Sequence, residues 1–356
     1  MCHKDFLFSF FHTAVVSDAI SDQDFNLCCY RRNTQAMEHS NHTRVTEFIM
    51  KGLFDHLHHQ GLFFGLFLCI YIAVVMGNSL IIVSIVIHPP LHTPMCTLAD
   101  ILCTSSVVPK VLENLMQEKK IISFGGCITQ LFVFTSSLTT DVLLLTVMSY
   151  DRYVAICHTL HYVKLMNKEI CICLAVGVWA VGTINSLVNM LLLLDLHFCG
   201  PNLIQYFFCD FPTILALSCS STYVNEIMMF MADIFLAMGN FLLTTMSYCF
   251  IIISILKIQS SKGKQRAFST CSSHLLVVTL YYSTIIYTYI QTNSSNSLDK
   301  NKKVAIMYTL VTPTLNPVIY SLHNKEVKVA IKRILPFTTK SNFSKCEPDY
   351  HLPCFF

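Results

Sequence analysis

Long apolar runs separated by short polar ones set the organisation of this chain. Leu62 to Ile87 has no charged residue at all, and Ile128 to Met148 carries a single acid, Asp141. Ile170 to Leu194 is a third such run, and Met228 to Leu256, with Asp233 inside it, a fourth. Ala267 to Ile290 and Val304 to Leu322 are two more, apolar overall but bearing Tyr and Thr. About 20 apolar residues cross the roughly 30 Å of a bilayer's hydrocarbon, so each run predicts a membrane-spanning helix. Leu91 to Leu115 is weaker. Its best stretch, Cys96 to Val108, makes only about 20 Å of helix at 1.5 Å per residue and contains Asp100.

Composition agrees with this reading. Of 356 residues, 53% are hydrophobic and 13% charged, against about 25% charged in soluble proteins. The net charge of +3 is scattered, which speaks against a nucleic-acid partner. No nucleophile elbow, P-loop or metal-ligand motif appears, so an enzyme is not expected. A transporter or channel is the rival from another class, but it predicts self-similar halves, and the chain has none.

Lys and Arg in short loops set orientation. With seven spans and the N-terminus outside, the inner segments hold Arg152, Lys164, Lys168, Lys257, Lys262, Lys264, Arg266, Lys325, Lys328, Lys332 and Arg333, while Asp195 to Glu226 outside holds none. The expected fold class is therefore an all-α membrane protein: a seven-helix bundle, N-terminus extracellular, C-terminus cytoplasmic, with a shortened second helix. Residues 1–60 form the outer N-terminal segment, 61–322 the helical domain and 323–356 the inner tail. Asn41-His42-Thr43 then lies outside as a glycosylation acceptor.

The inner end of span three reads Met148-Ser-Tyr-Asp-Arg-Tyr-Val-Ala-Ile-Cys157, followed by His158-Thr-Leu-His-Tyr162. Gly77-Asn78, Leu91-His-Thr-Pro-Met95, Ala267-Phe-Ser-Thr-Cys-Ser-Ser-His274 and Pro313-Thr-Leu-Asn-Pro-Val-Ile-Tyr320 occur in order around it. Together they resemble the motif series of the olfactory receptors, a branch of the rhodopsin-like G-protein-coupled receptors, from Met37 to about Phe337. The resemblance implies a plasma-membrane receptor for small volatile odorants that acts on a stimulatory heterotrimeric G protein. It implies coupling roles for Asp151, Arg152 and Tyr153, and for Asn316, Pro317 and Tyr320. It assigns Asn78, Asp100, Asp141 and Asn316 to a mid-membrane polar cluster. Two close carboxylates there share a proton or a cation, which makes sodium and a protonated pair the alternatives. No other cofactor is implied.

Four Cys on the outer side allow three pairings. The family pattern selects Cys127–Cys209 and Cys199–Cys219. It also directs Phe134, Thr135, Leu138 and Thr139 of span three toward a ligand pocket. Ala232, Asp233 and Leu236 of span five, Ile285, Ile286 and Tyr289 of span six, and Ile306 and Thr309 of span seven complete that lining. Any one of these residues serves equally well as helix-packing filler. Asp233 either binds an amine or hydrogen-bond donor or packs protonated against a neighbouring helix.

The chain departs from the family pattern in span two. The usual spacing from the Met of LHTPM to the acid is eleven residues, whereas Met95 to Asp100 is five. Six missing residues remove about 9 Å and rotate the helix ends by roughly 240°. The expectation is that either the cluster around Asp100 is misplaced or the first inner loop is drawn into the bilayer. An inactive remnant retained in the endoplasmic reticulum is thus the second functional reading. Met1 to Ala36 reads as a leader ahead of the family's usual start at Met37.

Overall fold

The computed structural model describes residues 45–52, 60–87, 94–198, 202–291 and 305–316. The first long helix is α1 (Gln60–Ile87), which packs against α2 (Pro94–Met116). Pro94 opens α2, where a missing N–H costs nothing and the fixed φ already suits a helix. Next comes α3 (Phe124–Cys157), capped by Ser123, whose Oγ accepts from the Gly126 N–H. The short α4 (Tyr162–Leu165) leads into α5 (Lys168–Leu194), capped by Asn167 and with Glu169 in its first turn. After α6 (Phe211–Leu215), span five is built from α7 (Tyr223–Ala232), a π-helical segment Asp233–Met238, and α8 (Gly239–Lys257). The last long helix is α9 (Ser261–Gln291), and residues 305–316 are helical with a π segment at Met307–Val311.

Four of the described helical stretches are long and apolar enough to cross a membrane: Gln60–Val83, Phe124–Cys157, Lys168–Leu194 and Tyr223–Lys257. The other two have the length but not the composition. Asp100, Lys110 and Glu113 interrupt α2, and Ser, Thr, Tyr and His274 dilute the apolar residues of α9. Helix α3 is the hub, touching α2, α5 and α8. Its seam with α5 is close because Gly182 lies against Thr140 and the Ser136 carbonyl, where a side chain would clash. Small and hydroxyl residues are the general means of bringing membrane helices together.

Span two differs from expectation. Helix α2 has 23 residues, about 34 Å at 1.5 Å each, which still matches the thickness of a bilayer's hydrocarbon. Asp100 is only 1% exposed and meets Asn316, which means the cluster is not misplaced by the missing residues. The other expected outcome, a first inner loop drawn inward, concerns residues 88–93, which lie outside the described residues.

The fold is also not purely helical. Three short strands, β1 (Glu47–Met50), β2 (Ile121–Ser123) and β3 (Leu203–Ile204), form a sheet in the order β2-β1-β3. The central strand pairs antiparallel with β2 and parallel with β3. Alternation in β1 turns Phe48 and Met50 inward and leaves Glu47 and Ile49 outside. Two- to four-residue strands are made by pairings distant in sequence, which local apolar patterning does not announce.

Candidate functional site

Two groups of residues at different depths form the site. The first begins at Asp100, whose two carboxylate oxygens each lie 3.0 Å from Asn316 Nδ2. Asn78 Nδ2 donates to the Val74 carbonyl at 3.1 Å and to the Pro313 carbonyl at 3.4 Å, so α1 is tied to the backbone of the last helix. Asp141 on α3 lies near enough to Asp100 for the two carboxyls to interact. The four residues singled out for a polar cluster are therefore gathered from four helices, with Asp100–Asn316 as the direct contact. Among the described residues Asn78 Oδ1 is buried without a hydrogen-bond partner.

Nearer the far end of α3 stand Asp151 and Arg152. Tyr162 donates to Asp151 Oδ1 at 2.6 Å, and Arg152 Nε lies 3.9 Å from Asp151 Oδ2. Asp151 is fully buried and the Arg152 side chain 13% exposed. A charge so enclosed requires such partners. Burial beside Asp151 raises the Tyr162 phenol's pKa, so it remains a donor. Tyr153 bonds the His158 ring at 3.1 Å and packs on Phe250 of α8. Tyr248 of α8 hydrogen-bonds His274 Nδ1 of α9. The tyrosine–histidine pair carried no sequence signal beyond membership of the His274 motif. Leu160, on the 3₁₀ turn Thr159–His161, is 96% exposed and Val163 75%. Both were also missed, because an apolar loop residue is unremarkable until its exposure is known.

The second group lies toward the sheet. Phe134 is buried and its ring packs edge-on to Phe208 at 5.2 Å. Leu138 touches two core clusters, and its carbonyl accepts from the Tyr281 hydroxyl at 3.3 Å. Thr135 is half-buried on the same helix. Thr139 is turned to α5, where it accepts from Asn185 at 3.3 Å. Thr309 is fully buried, its hydroxyl donating to the Ala305 carbonyl at 2.6 Å, and Ile306 packs beside it. Leu236 and Asp233 fall in the π segment Asp233–Met238, while Thr309 falls in the π segment Met307–Val311. Such segments often occur at functional positions. Ile286 is 47% exposed. The side chains of Asp233, Ile285 and Tyr289 lie outside what the structure describes, as do Asn41, Pro317 and Tyr320.

A cross-link and an amide hold the roof over this group. Cys127 and Cys209 form a disulfide, and Cys219 is disulfide-bonded as well. Cys199 lies outside the described residues, but the Cys219 N–H donates to the His197 carbonyl two positions before it. Gln130 was not anticipated. Its Nε2 donates to the Ser106 carbonyl at 2.8 Å, just before the helix-interior Pro109, and its Oε1 accepts from the Cys209 N–H at 2.8 Å. Both ends of a buried amide are thus used to tie α2, α3 and the roof together.

Buried charges at one end of a helical bundle, a disulfide-braced roof at the other and membrane-length helices between them describe a helical membrane protein. Comparison with known proteins gives the family. The family model "Olfactory receptor" matches residues 67–337. Human olfactory receptor 13G1 is 50% identical over 303 residues, covering 83% of this chain and 99% of that protein. Human olfactory receptor 13A1 is 48% identical over 304 residues, with 84% and 93% covered. Mouse olfactory receptor 5AR1 is 41% identical over 305 residues, with 84% and 98% covered. The chain belongs to the olfactory receptor family of G-protein-coupled receptors, which are not enzymes.

Proposed function

We propose that this chain is a plasma-membrane odorant receptor of seven spans, with its sheet outside. It binds a small volatile molecule in the sheet-side half of the bundle and activates a stimulatory G protein from the opposite end. The observation that carries the reading is the pairing of a buried Asp151–Arg152–Tyr162 group with an adjacent, almost fully exposed Leu160. An apolar side chain left in solvent beside a caged arginine suits a surface that a protein partner covers. A ligand acts by favouring the arrangement in which that surface is open. The lining around Phe134, Leu138, Ile306 and Thr309 is apolar with few hydroxyls, which suits a volatile compound held mainly by shape.

The Asp100–Asn316 contact, made despite the short spacing in span two, supports an intact receptor over an inactive remnant. The polar cluster also suits sodium: Asp100 supplies charge, and Asn78 Oδ1 is a buried acceptor without a partner among the described residues. We read Cys199 as the partner of Cys219, and Asn41 as the glycosylated residue.

The test is a cyclic-AMP reporter in cells displaying the tagged chain, screened against an odorant panel. An activating odorant is expected for the parent chain. Arg152→Ala and Leu160→Ala should keep surface display and lose most of the response. A full response from both variants would overturn the coupling assignment. For sodium, replacing choline by sodium chloride should stabilise the purified parent but not Asp100→Asn. Equal effects on both would remove the ion.

A further inference from the structure

A groove of about 410 Å³ runs between the sheet-side ends of α3 and α5, walled by Phe124, Ile128, Phe132, Met190 and Leu194. It does not belong to the ligand-pocket group. Its α3 residues, 124, 125, 128, 129 and 132, form one stripe of a helix that runs from the buried Ile128 at the edge of the core to the exposed Gly125 and Thr129, while Cys127, Gln130, Leu131 and Phe134 turn further inward. The groove is continuous with the apolar outer surface of α5, where Ile184, Leu187 and Leu191 are 59%, 41% and 53% exposed. In a membrane protein of this family that surface meets lipid. Gly125 is exposed and a Cβ there would meet nothing within 4 Å, so the groove is open at this point and a larger side chain would project across it.

We propose that the groove binds one acyl chain of a phospholipid from the leaflet on the sheet side. From Phe124 to Phe132 the wall extends about 12 Å along the helix, a shape that follows an extended flexible chain. Its one hydroxyl, on Thr129, lies more than a turn below the rim, and a helical threonine can turn back to its own helix carbonyl. A sterol, whose hydroxyl belongs at the membrane surface, would meet the aromatic Phe124 there instead. The chain gains contact on several sides, which a flat helix surface does not offer, and packing of this kind drives association within lipid. Phe124 also links the groove to the roof. Its ring lies 5.9 Å from both Phe48 of β1 and Phe198. Occupancy therefore braces the sheet from beneath.

The full chain in nanodiscs containing phosphatidylcholine with a photoreactive acyl chain tests this. After illumination, labelled peptides are mapped by mass spectrometry. Label should concentrate on residues 124–132 and 190–194, and fall several-fold in Gly125→Phe and in Thr129→Trp, each of which fills the groove from a different position. Leu187→Phe, on the open surface, should leave the pattern unchanged. Even labelling over all exposed faces of α5 and α7, or undiminished label in both filling variants, would overturn the proposal. Stronger groove labelling by a photoreactive sterol than by the phospholipid would overturn the assigned occupant.

Discussion

Replacing Phe48 with Ala tests whether the sheet is part of the receptor's core. Phe48 is 0% exposed, and its ring stands 5.9 Å from that of Phe124 and 6.2 Å from that of Phe198. Truncating a buried Phe to Ala generally costs about 3–5 kcal/mol, and each aromatic contact accounts for roughly 0.5–1.5 kcal/mol of that kind of loss. Taken from the low end of a total stability of about 5–15 kcal/mol, this removes more than half of it. Ile49, its neighbour, is 50% exposed, and Ile49→Ala should stay within about 0.5 kcal/mol. Surface staining of tagged chains in non-permeabilised cells reads the difference, and thermal unfolding of solubilised protein checks that it is a stability effect. Phe48→Ala should lose most of its surface signal while Ile49→Ala keeps it. Equal signals from the two would refute the alternation of β1 and the role assigned to the sheet.

Cys127→Ser and Cys209→Ser should each cost about 4.5 kcal/mol, the loop-closure entropy for a separation of 82 residues; the double variant should be no worse than either, read as surface display. Gln130→Leu leaves the Ser106 carbonyl and the Cys209 N–H without their partner, and should lower stability by about 2–6 kcal/mol, at 1–3 kcal/mol per stranded group. Gln130→Glu should fall between the two in thermal unfolding. Asp210 caps α6 by accepting from the Phe211 N–H at 3.0 Å, and burial, opposed by that bond, raises its pKa from 3.8 to about 6. The folded state therefore binds the proton more tightly than the unfolded one. Its contribution is fully present below about pH 4 and is lost as pH rises to about 6. Thermal stability measured across that window should fall in the parent and change less in Asp210→Asn.

Residues whose evidence is local were legible in the sequence. Long apolar runs locate most of the spans, because length and charge depletion are properties of a segment by itself. The motif around Asp151 and Arg152, and the Asp100–Asn316 neighbourhood, were legible through the ordered motif series. The consequence of the short Met95–Asp100 spacing was not legible in the sequence, because whether Asp100 still reaches Asn316 depends on how α2 packs against the last helix. The sheet was missed because β1, β2 and β3 are separated by scores of residues and none is longer than four. Gln130 was missed for a related reason: a polar residue among apolar ones gives no hint that both ends of its amide find partners on other segments. The exposure of Leu160 and the turn of Thr139 toward α5 are facts of packing, and the pattern of residue types alone is the same either way.

The place of β1 in the middle of its sheet also bears on how the chain is made. The strand is finished only when Ile204 arrives, about 150 residues after Met50. At about 5–20 residues per second, the ribosome needs roughly 8–30 s to supply that edge. Throughout this interval Phe48, Ile49 and Met50 form an apolar strand end with no neighbour on one side. An emerging receptor therefore offers chaperones and quality control a sticky segment near its beginning, long before its last helix exists, and anything that slows delivery of β3 prolongs that exposure.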